Sequence, residues 1–385
     1  VKQICDDLNA ENIEANPTLI YKEKNILYGI LNPTPTLRHS NSNVLLGELF
    51  GDANWEGLNR DYPDGNYAIF RSNNESIEIV SDVLGTRTVW FYKDEQVFIC
   101  STSQRAIIQF LGDFQFDDRV IPWIISSGSL GSSYCWDKRI MRLPADGTIL
   151  LDKETWNLKI TQKPVEFKCS NLSDREYEIK LKNTLYKTFQ SLDLDFSKWV
   201  VSLSGGYDSR AILSLLNYTK KPLEKIKTVT WGDKASLKEK GSDPAVARKL
   251  AGKFHVTNKF YDTGDGSGNE DFASITDKFL RKGEGRNDQV LGYLDGFKTW
   301  KILYENQNHG VLRGDEVFGY NKIYSALIVR DFMGLSMCGD FSNLSKYKYI
   351  RSLKQKLPDY FVQKQNESLD TWRDRLFQMY RIPLI

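Results

Sequence analysis

The sequence predicts an α/β protein built in two parts, and three observations lead there. Residues from about 18 to 165 break into short β-branched and aromatic runs separated by Gly, Asn, Asp and Pro turns. From residue 174 onward helix alternates with strand, the pattern of a parallel sheet with crossover helices. At the heart of that second part, an apolar strand runs into Ser204-Gly205-Gly206-Tyr207-Asp208-Ser209, a turn rich in glycine and hydroxyl groups. The change of pattern places the boundary near residues 165–175, dividing the chain into 1–170 and 171–385.

In order along the chain, strands are expected at 18–21, 26–31, 67–70, 76–81, 88–92 and 96–100, then helices from 103 to about 111 and from about 119 to 126. Residues 147–151 and 158–160 read as a closing hairpin. The second part opens with an amphipathic helix over 176–192. A strand at 199–203, a helix beginning near Arg210 and a strand at 227–231 follow. Asp243-Pro244-Ala245 is a clean helix start, with Asp as N-cap and Pro at the first helical position, and that helix leads to Gly252 and His255. Read alone, His255 is a packed residue at the start of the next strand.

Composition narrows the function classes. The 385 residues are 41% hydrophobic and 12% aromatic, which describes a globular chain with room for two or three domains. With 52 basic against 50 acidic residues the net charge is +2, so no strong attraction to nucleic acid or a membrane surface is expected. No apolar run is long enough to span a bilayer and no leader pattern opens the sequence. Cys5, Cys100, Cys135, Cys169 and Cys338 lack metal-ligand spacing, and with three histidines in all, a zinc site is not expected. Reduced thiols in a cytoplasmic protein are the expectation.

The 204–209 segment carries the chemistry. A helix that starts in such a turn offers free N–H groups and the positive end of its dipole, a favourable setting for phosphate. Ser204 and Ser209 are hydroxyl donors, and Asp208 is a hard oxygen ligand suited to Mg²⁺. Neither G-x-x-x-x-G-K-[ST] nor a G-x-G-x-x-G opening a helix is present. Downstream, Gly310-Val311-Leu312-Arg313-Gly314-Asp315-Glu316-Val317-Phe318-Gly319 is a second strand ending in a glycine turn with carboxylates and an arginine. Asp315 could complete a Mg²⁺ site with Asp208, and Arg313 could meet phosphate oxygens.

S-G-G-x-D-S resembles the pyrophosphate loop of ATP pyrophosphatases, and with G-D-E-V-F-G it is similar to the two signature loops of the asparagine synthetase family. Asp64-Gly65-Asn66-Tyr67-Ala68-Ile69-Phe70, Asp82-Val83-Leu84-Gly85-Thr86-Arg87, Ser101-Thr102-Ser103 and Arg142-Leu143-Pro144-Ala145-Asp146-Gly147 resemble, in the same order, that family's N-terminal glutaminase-type domain. The resemblance implies an N-terminal Ntn-like αββα domain (1–170) and a doubly wound ATP-pyrophosphatase domain (171–385). It implies ATP and Mg²⁺ as cofactors. Leu203, Ser204, Gly205, Gly206, Asp208, Ser209, Thr230 and Gly314 are the implied nucleotide-contacting residues, Asp208 and Asp315 the metal ligands, and Arg313 and Glu284 the catalytic residues. Glu284 lies roughly where the family has a glutamate near the reacting amine.

Two departures shape the expected activity. The family's glutamine-hydrolysing members begin with Cys-Gly-Ile, whereas Cys5 is followed by Asp6-Asp7 in a polar segment, so glutamine hydrolysis is not expected. The β-lactam synthetase and lasso-peptide macrolactam synthetase branches share that loss. The sequence also ends at Arg381-Ile382-Pro383-Leu384-Ile385, where the family continues into helices that supply a lysine. A longer polypeptide, a homodimer or a partner would then provide the remainder. The expected function is an AMP-forming carbon–nitrogen ligase that joins a small-molecule or peptide carboxylate to an amine, as in antibiotic biosynthesis. The alternatives are an incomplete nucleotide-binding scaffold and an asparagine synthetase-like enzyme fed by external ammonia.

Overall fold

The computed structural model describes residues 1–10, 12–51, 54–58, 64–131, 133–163, 165–167, 171–264, 271–282, 284, 290–314, 322–332 and 359–384. The protein is α/β. The first half contributes a short helix, α1 (Lys2–Asp7), and a hairpin of β1 (Leu19–Glu23) and β2 (Ile26–Ile30). Next come β3 (Leu37–Ser40), β4 (Asn43–Leu49), β5 (Gly65–Ser72), β6 (Ser76–Ser81), β7 (Trp90–Lys93) and β8 (Phe98–Ser101). Helices α2 (Gln104–Leu111) and α3 (Ile121–Ser127) precede β9 (Met141–Arg142), β10 (Gly147–Asp152) and β11 (Leu158–Gln162). The strands form a six-stranded antiparallel sheet in the order β11-β10-β6-β5-β4-β3 and a three-stranded one, β8-β7-β9.

Alternation along the strands sorts the side chains into layers. Ala68, Ile79 and Ile149 of the large sheet meet Phe91 of the small one, with Val89 and Leu143, in one buried cluster. One residue over, Trp90 points to the other face and packs with Ile107, Val120, Leu130 and Cys135 under α2 and α3. On the outer face of the large sheet, Leu45, Leu49, Tyr67, Ile69 and Val80 are covered by Trp55. Among the described residues the helical layer of this half is therefore α2 and α3, on the small sheet.

The second half supplies α4 (Asp174–Ser191), β12 (Trp199–Ser202), α5 (Tyr207–Tyr218), β13 (Lys227–Gly232), α6 (Asp243–Phe254) and β14 (Thr257–Asp262). Helices α7 (Phe272–Lys282) and α8 (Val290–Glu305) lead to β15 (Gly310–Leu312), and α9 (Ala326–Phe332) and α10 (Leu369–Leu376) follow. The strands make a parallel sheet in the order β14-β13-β12-β15. Leu203, Leu213, Ala247 and Ala251 join this sheet to α5 and α6 on one face. Val200, Val229 and Leu303 join it to α8 on the other. Helices on both faces make the sheet doubly wound.

The last described segment turns back onto the first half. Trp123 of α3 shares a cluster with Val329, Phe361, Trp372, Leu376, Phe377 and Tyr380. The Ser129 hydroxyl and the Tyr380 phenol lie 3.0 Å apart, and Arg142 donates to the Pro383 carbonyl at 3.1 Å.

Several boundaries differ from the sequence expectation. Strands β3 and β4 are absent from it, because Asn43-Val44-Leu45-Leu46-Gly47 neither alternates nor avoids glycine; tertiary pairing with β5 makes it a strand. Helix α6 runs through Gly252 and closes at His255, which holds φ +56° and donates its N–H to Gly252 O and Ala251 O. Helix α5 starts at Tyr207, three residues before Arg210, because Gly206 already occupies the N-cap.

One buried ion pair stitches the large sheet. Arg71 on β5 and Glu78 on β6 are register partners with almost fully buried side chains. Arg71 Nε donates to Glu78 at 2.6 Å, and Nη1 donates to the Trp55 carbonyl at 2.8 Å. Removing the carboxylate strands a buried guanidinium, so E78A is expected to lose about 3–5 kcal/mol in urea unfolding. E78Q, which keeps an acceptor, should lose clearly less.

Candidate functional site

Strand β12 delivers the chain to the site through Leu203. Its N–H continues the ladder to Val229 O at 2.9 Å, and its carbonyl accepts from the Thr230 hydroxyl at 2.7 Å. Thr230 is itself buried, and the Asn258 amide donates to it at 3.1 Å and to Thr228 at 2.9 Å. The Thr230 hydroxyl is thus turned to Leu203, bracing the point where the loop leaves the sheet.

The loop then closes on itself. Ser204 N donates to Ser209 Oγ at 3.1 Å, the two serine hydroxyls lie 3.0 Å apart, and Gly206 N donates to Ser204 Oγ at 3.1 Å. Ser204 and Ser209, read from sequence as hydroxyl donors, brace each other here. Asp208 and Ser209 stand in the first turn of α5, where the exposed N–H groups and the helix dipole favour an anion.

The two glycines serve close approach more than turning. Gly206 has φ −68° and ψ 159°, backbone that any residue adopts. Gly205 lies against the start of α6, where a Cβ would meet Asp243 Oδ1 at 2.5 Å and Val246 Cβ at 3.4 Å. Asp243 Oδ1 accepts the Gly205 N–H at 2.9 Å. The α6 N-cap is Ser242, which accepts from Ala245 N, so Asp243, read from sequence as the cap, is free to reach across to the loop. An anionic oxygen already sits on the first N–H of the cradle.

The second loop arrives at the same place. A Cβ on Gly314 would stand 2.7 Å from Asp208 Cβ, 2.8 Å from its carbonyl carbon and 3.0 Å from Ser209 N. The 203–209 and 310–314 segments, over a hundred positions apart, are therefore in van der Waals contact at the carboxyl ends of β12 and β15. Asp315 lies outside the described residues. Arg313 places its guanidinium 5.7 Å from the centre of the Trp300 ring, and Trp300 meets Trp231 edge to face at 5.8 Å. This sets two indoles and a cation beside the 310–314 segment, on the α8 face of the sheet.

Glu284 is held elsewhere. Its carboxylate accepts from the Ser103 hydroxyl and from Gln104 N (3.0 Å), at the N-terminus of α2, and its carbonyl accepts from the Gln104 amide at 2.6 Å. Gln104 in turn accepts from Cys135 Sγ and Trp136 N. Among the described residues Glu284 makes no hydrogen bond to the 203–209 loop. Burial pushes its carboxyl pKa up, against the opposing pull of the Ser103 and Gln104 hydrogen bonds.

The N-terminal motifs also converge. Asp82 is buried and accepts from Tyr67 N, Leu84 N and the Thr86 hydroxyl, while its carbonyl accepts from Asp146 N. A shallow hollow of about 500 Å³ runs along α4, lined by Leu172, Ile179, Lys180 and Thr184 among others, and no residue of either loop contributes to it. No described helix is long and apolar enough to cross a membrane. Among the described residues no group of three or more His, Cys, Asp and Glu is placed to hold a metal ion.

No family model matches the chain, and no curated protein matches it. Among solved structures, an NH3-dependent NAD synthetase from Campylobacter jejuni, in complex with the nitrate ion, matches at 16% identity and a TM-score of 0.25. That match covers 54% of this chain and 96% of the other.

Two outcomes test this geometry. G314A forces a methyl into backbone atoms that cannot yield, so it should lower the melting temperature. G252A, inside α6 where a Cβ meets nothing within 4 Å, should leave it unchanged or raise it slightly. The Glu284 pKa is raised in the folded state, so its contribution favours folding below the ordinary carboxyl range and fades as pH rises through the folded value. Thermal melts should show E284Q gaining on the wild type as pH rises above the ordinary carboxyl range; parallel curves would refute the assignment.

Proposed function

We propose that this chain binds ATP at the carboxyl ends of β12 and β15 and uses it to activate a carboxylate for amide-bond formation, releasing pyrophosphate. The observation that carries the reading is the packing of Gly314 on Asp208 and Ser209, which joins the two loops at the point where strand order reverses. In doubly wound sheets that reversal is where ligands bind. The loop's donors suit anionic oxygen, since Gly205 N–H already holds the Asp243 carboxylate.

In this reading the α5 N-terminus with Ser204, Gly205, Gly206 and Ser209 cradles the pyrophosphate end, and Leu203, Thr230 and Gly314 shape the wall beside the nucleotide. Asp208, with Asp315, would hold Mg²⁺, which supplies neutralisation of phosphate charge when bound. Arg313 offsets charge on the phosphate oxygens. The substrate carboxylate oxygen attacks the α-phosphorus, pyrophosphate leaves, and an amine then displaces AMP from the acyl carbon. The protein's part is positioning and charge compensation. A peptide or small-molecule substrate, as in macrolactam formation, is the favoured class, and it rests on the family resemblance of the loops.

A second reading, a nucleotide-binding scaffold without turnover, draws on Asp243, whose carboxylate takes a donor that a phosphate would need. Incubation with MgATP and candidate carboxylates, followed by pyrophosphate release, separates the two. Release that is lost in D208A is the expected result; ATP binding with no release under any carboxylate would favour the scaffold.

A further inference from the structure

Arg210 stands in the first turn of α5, immediately after the 204–209 loop. Its Nε donates to the Gly206 carbonyl at 3.1 Å, and its guanidinium carbon lies 4.3 Å from the centre of the Tyr207 ring. Tyr207 is 83% exposed, so its ring is no part of a core. The pair fixes a cation at the lip of the cradle: one nitrogen is tied to the loop's own backbone, and the planar group rests on an aromatic face. The two terminal nitrogens, the fork that matches phosphate oxygens, form no hydrogen bond with a described residue.

The electrostatics of the loop call for such a cation. A helix N-terminus offers the equivalent of roughly half a positive charge. Against it stand two carboxylates, Asp208 in the first turn and Asp243 on the Gly205 N–H. Mg²⁺ on Asp208 would offset one of these charges, and the Asp243 carboxylate on the cradle itself leaves room for a further fixed positive group. Arg210 is built into the same turn of chain as the donors.

We propose that Arg210, with Tyr207 as its platform, is a binding residue for the β,γ-diphosphate end of a nucleoside triphosphate, gripping the pyrophosphate rather than the nucleoside. This rests on the ATP-binding reading above. The competing account is an exposed helical pair three residues apart, which supports α5 slightly and contributes nothing to a ligand.

Calorimetry on the full chain separates them, with magnesium pyrophosphate, MgATP and AMP as probes. R210A is expected to weaken pyrophosphate by about tenfold or more, the loss of one charge-assisted hydrogen-bonded contact, and to leave AMP within about twofold. R210K, which keeps charge but not the fork, should fall between. Y207A should weaken pyrophosphate severalfold and Y207F should not. Equal pyrophosphate affinity in R210A and wild type would overturn the proposal, as would parallel loss of AMP and pyrophosphate. A wild-type chain that binds neither ATP nor pyrophosphate would instead sink the ATP-binding reading, and this inference with it.

Discussion

The reversal of strand addition at β12 is the constraint on which the candidate site depends. β12 is the first strand of the parallel sheet in the chain, yet it ends with neighbours on both sides, β13 and β14 added at one edge and β15 at the other. The chain leaving β12 enters α5 on one face, and the chain reaching β15 comes from α8 on the opposite face. Crossovers to opposite faces make the chain diverge at those two strand ends, the position where doubly wound sheets bind ligands. Glycine at 314 lets the two loops touch there without a side chain between them.

That position is held from below by buried polar contacts. Thr228, Thr230 and Asn258 form a hydrogen-bonded run across β13 and β14, ending on the Leu203 carbonyl. Buried polar groups satisfied in this way fix one arrangement, since any displacement leaves a donor unpaired. The loop is thus positioned by the sheet and closed by its own serines and Asp243, which take up the Ser204, Gly205 and Gly206 N–H groups and leave the α5 terminus as the chemically available surface.

The legible and illegible parts of the sequence divide along physical lines. The 147–151 and 158–160 hairpin, the 103–111 helix and the alternating second half were readable because their periodicity and turn residues are local. β4 was not, because its pairing with β5 lies in tertiary contact and its own residues carry no alternation. The SGGYDS segment announced a phosphate-type loop, but the start of α5 at Tyr207 changes what its residues do: Asp208 and Ser209 are helical, and the serines spend their hydroxyls on each other. Asp243 on Gly205 and Glu284 on Ser103 could not be found by motif, since each joins positions far apart in sequence (38 and 181 residues). Asp315 lies outside the described residues, so the proposed metal pair is half visible.

The return of the last described segment onto α3 has a consequence for how the protein is made. Trp123 and Ser129 belong to the first half, but the buried cluster around Trp123 is completed by residues from Val329 to Tyr380, and Tyr380, the partner of Ser129, comes 251 residues after it. During synthesis the α3 face must remain uncovered until that distant segment has emerged. Such long sequence separations slow folding and leave apolar surface exposed to other chains in the meantime. The hairpins from β3 to β6 can form early, as their pairings are close in sequence, whereas the Trp123 cluster is among the last contacts that can close. In the finished molecule that late closure holds the last described segment against α3.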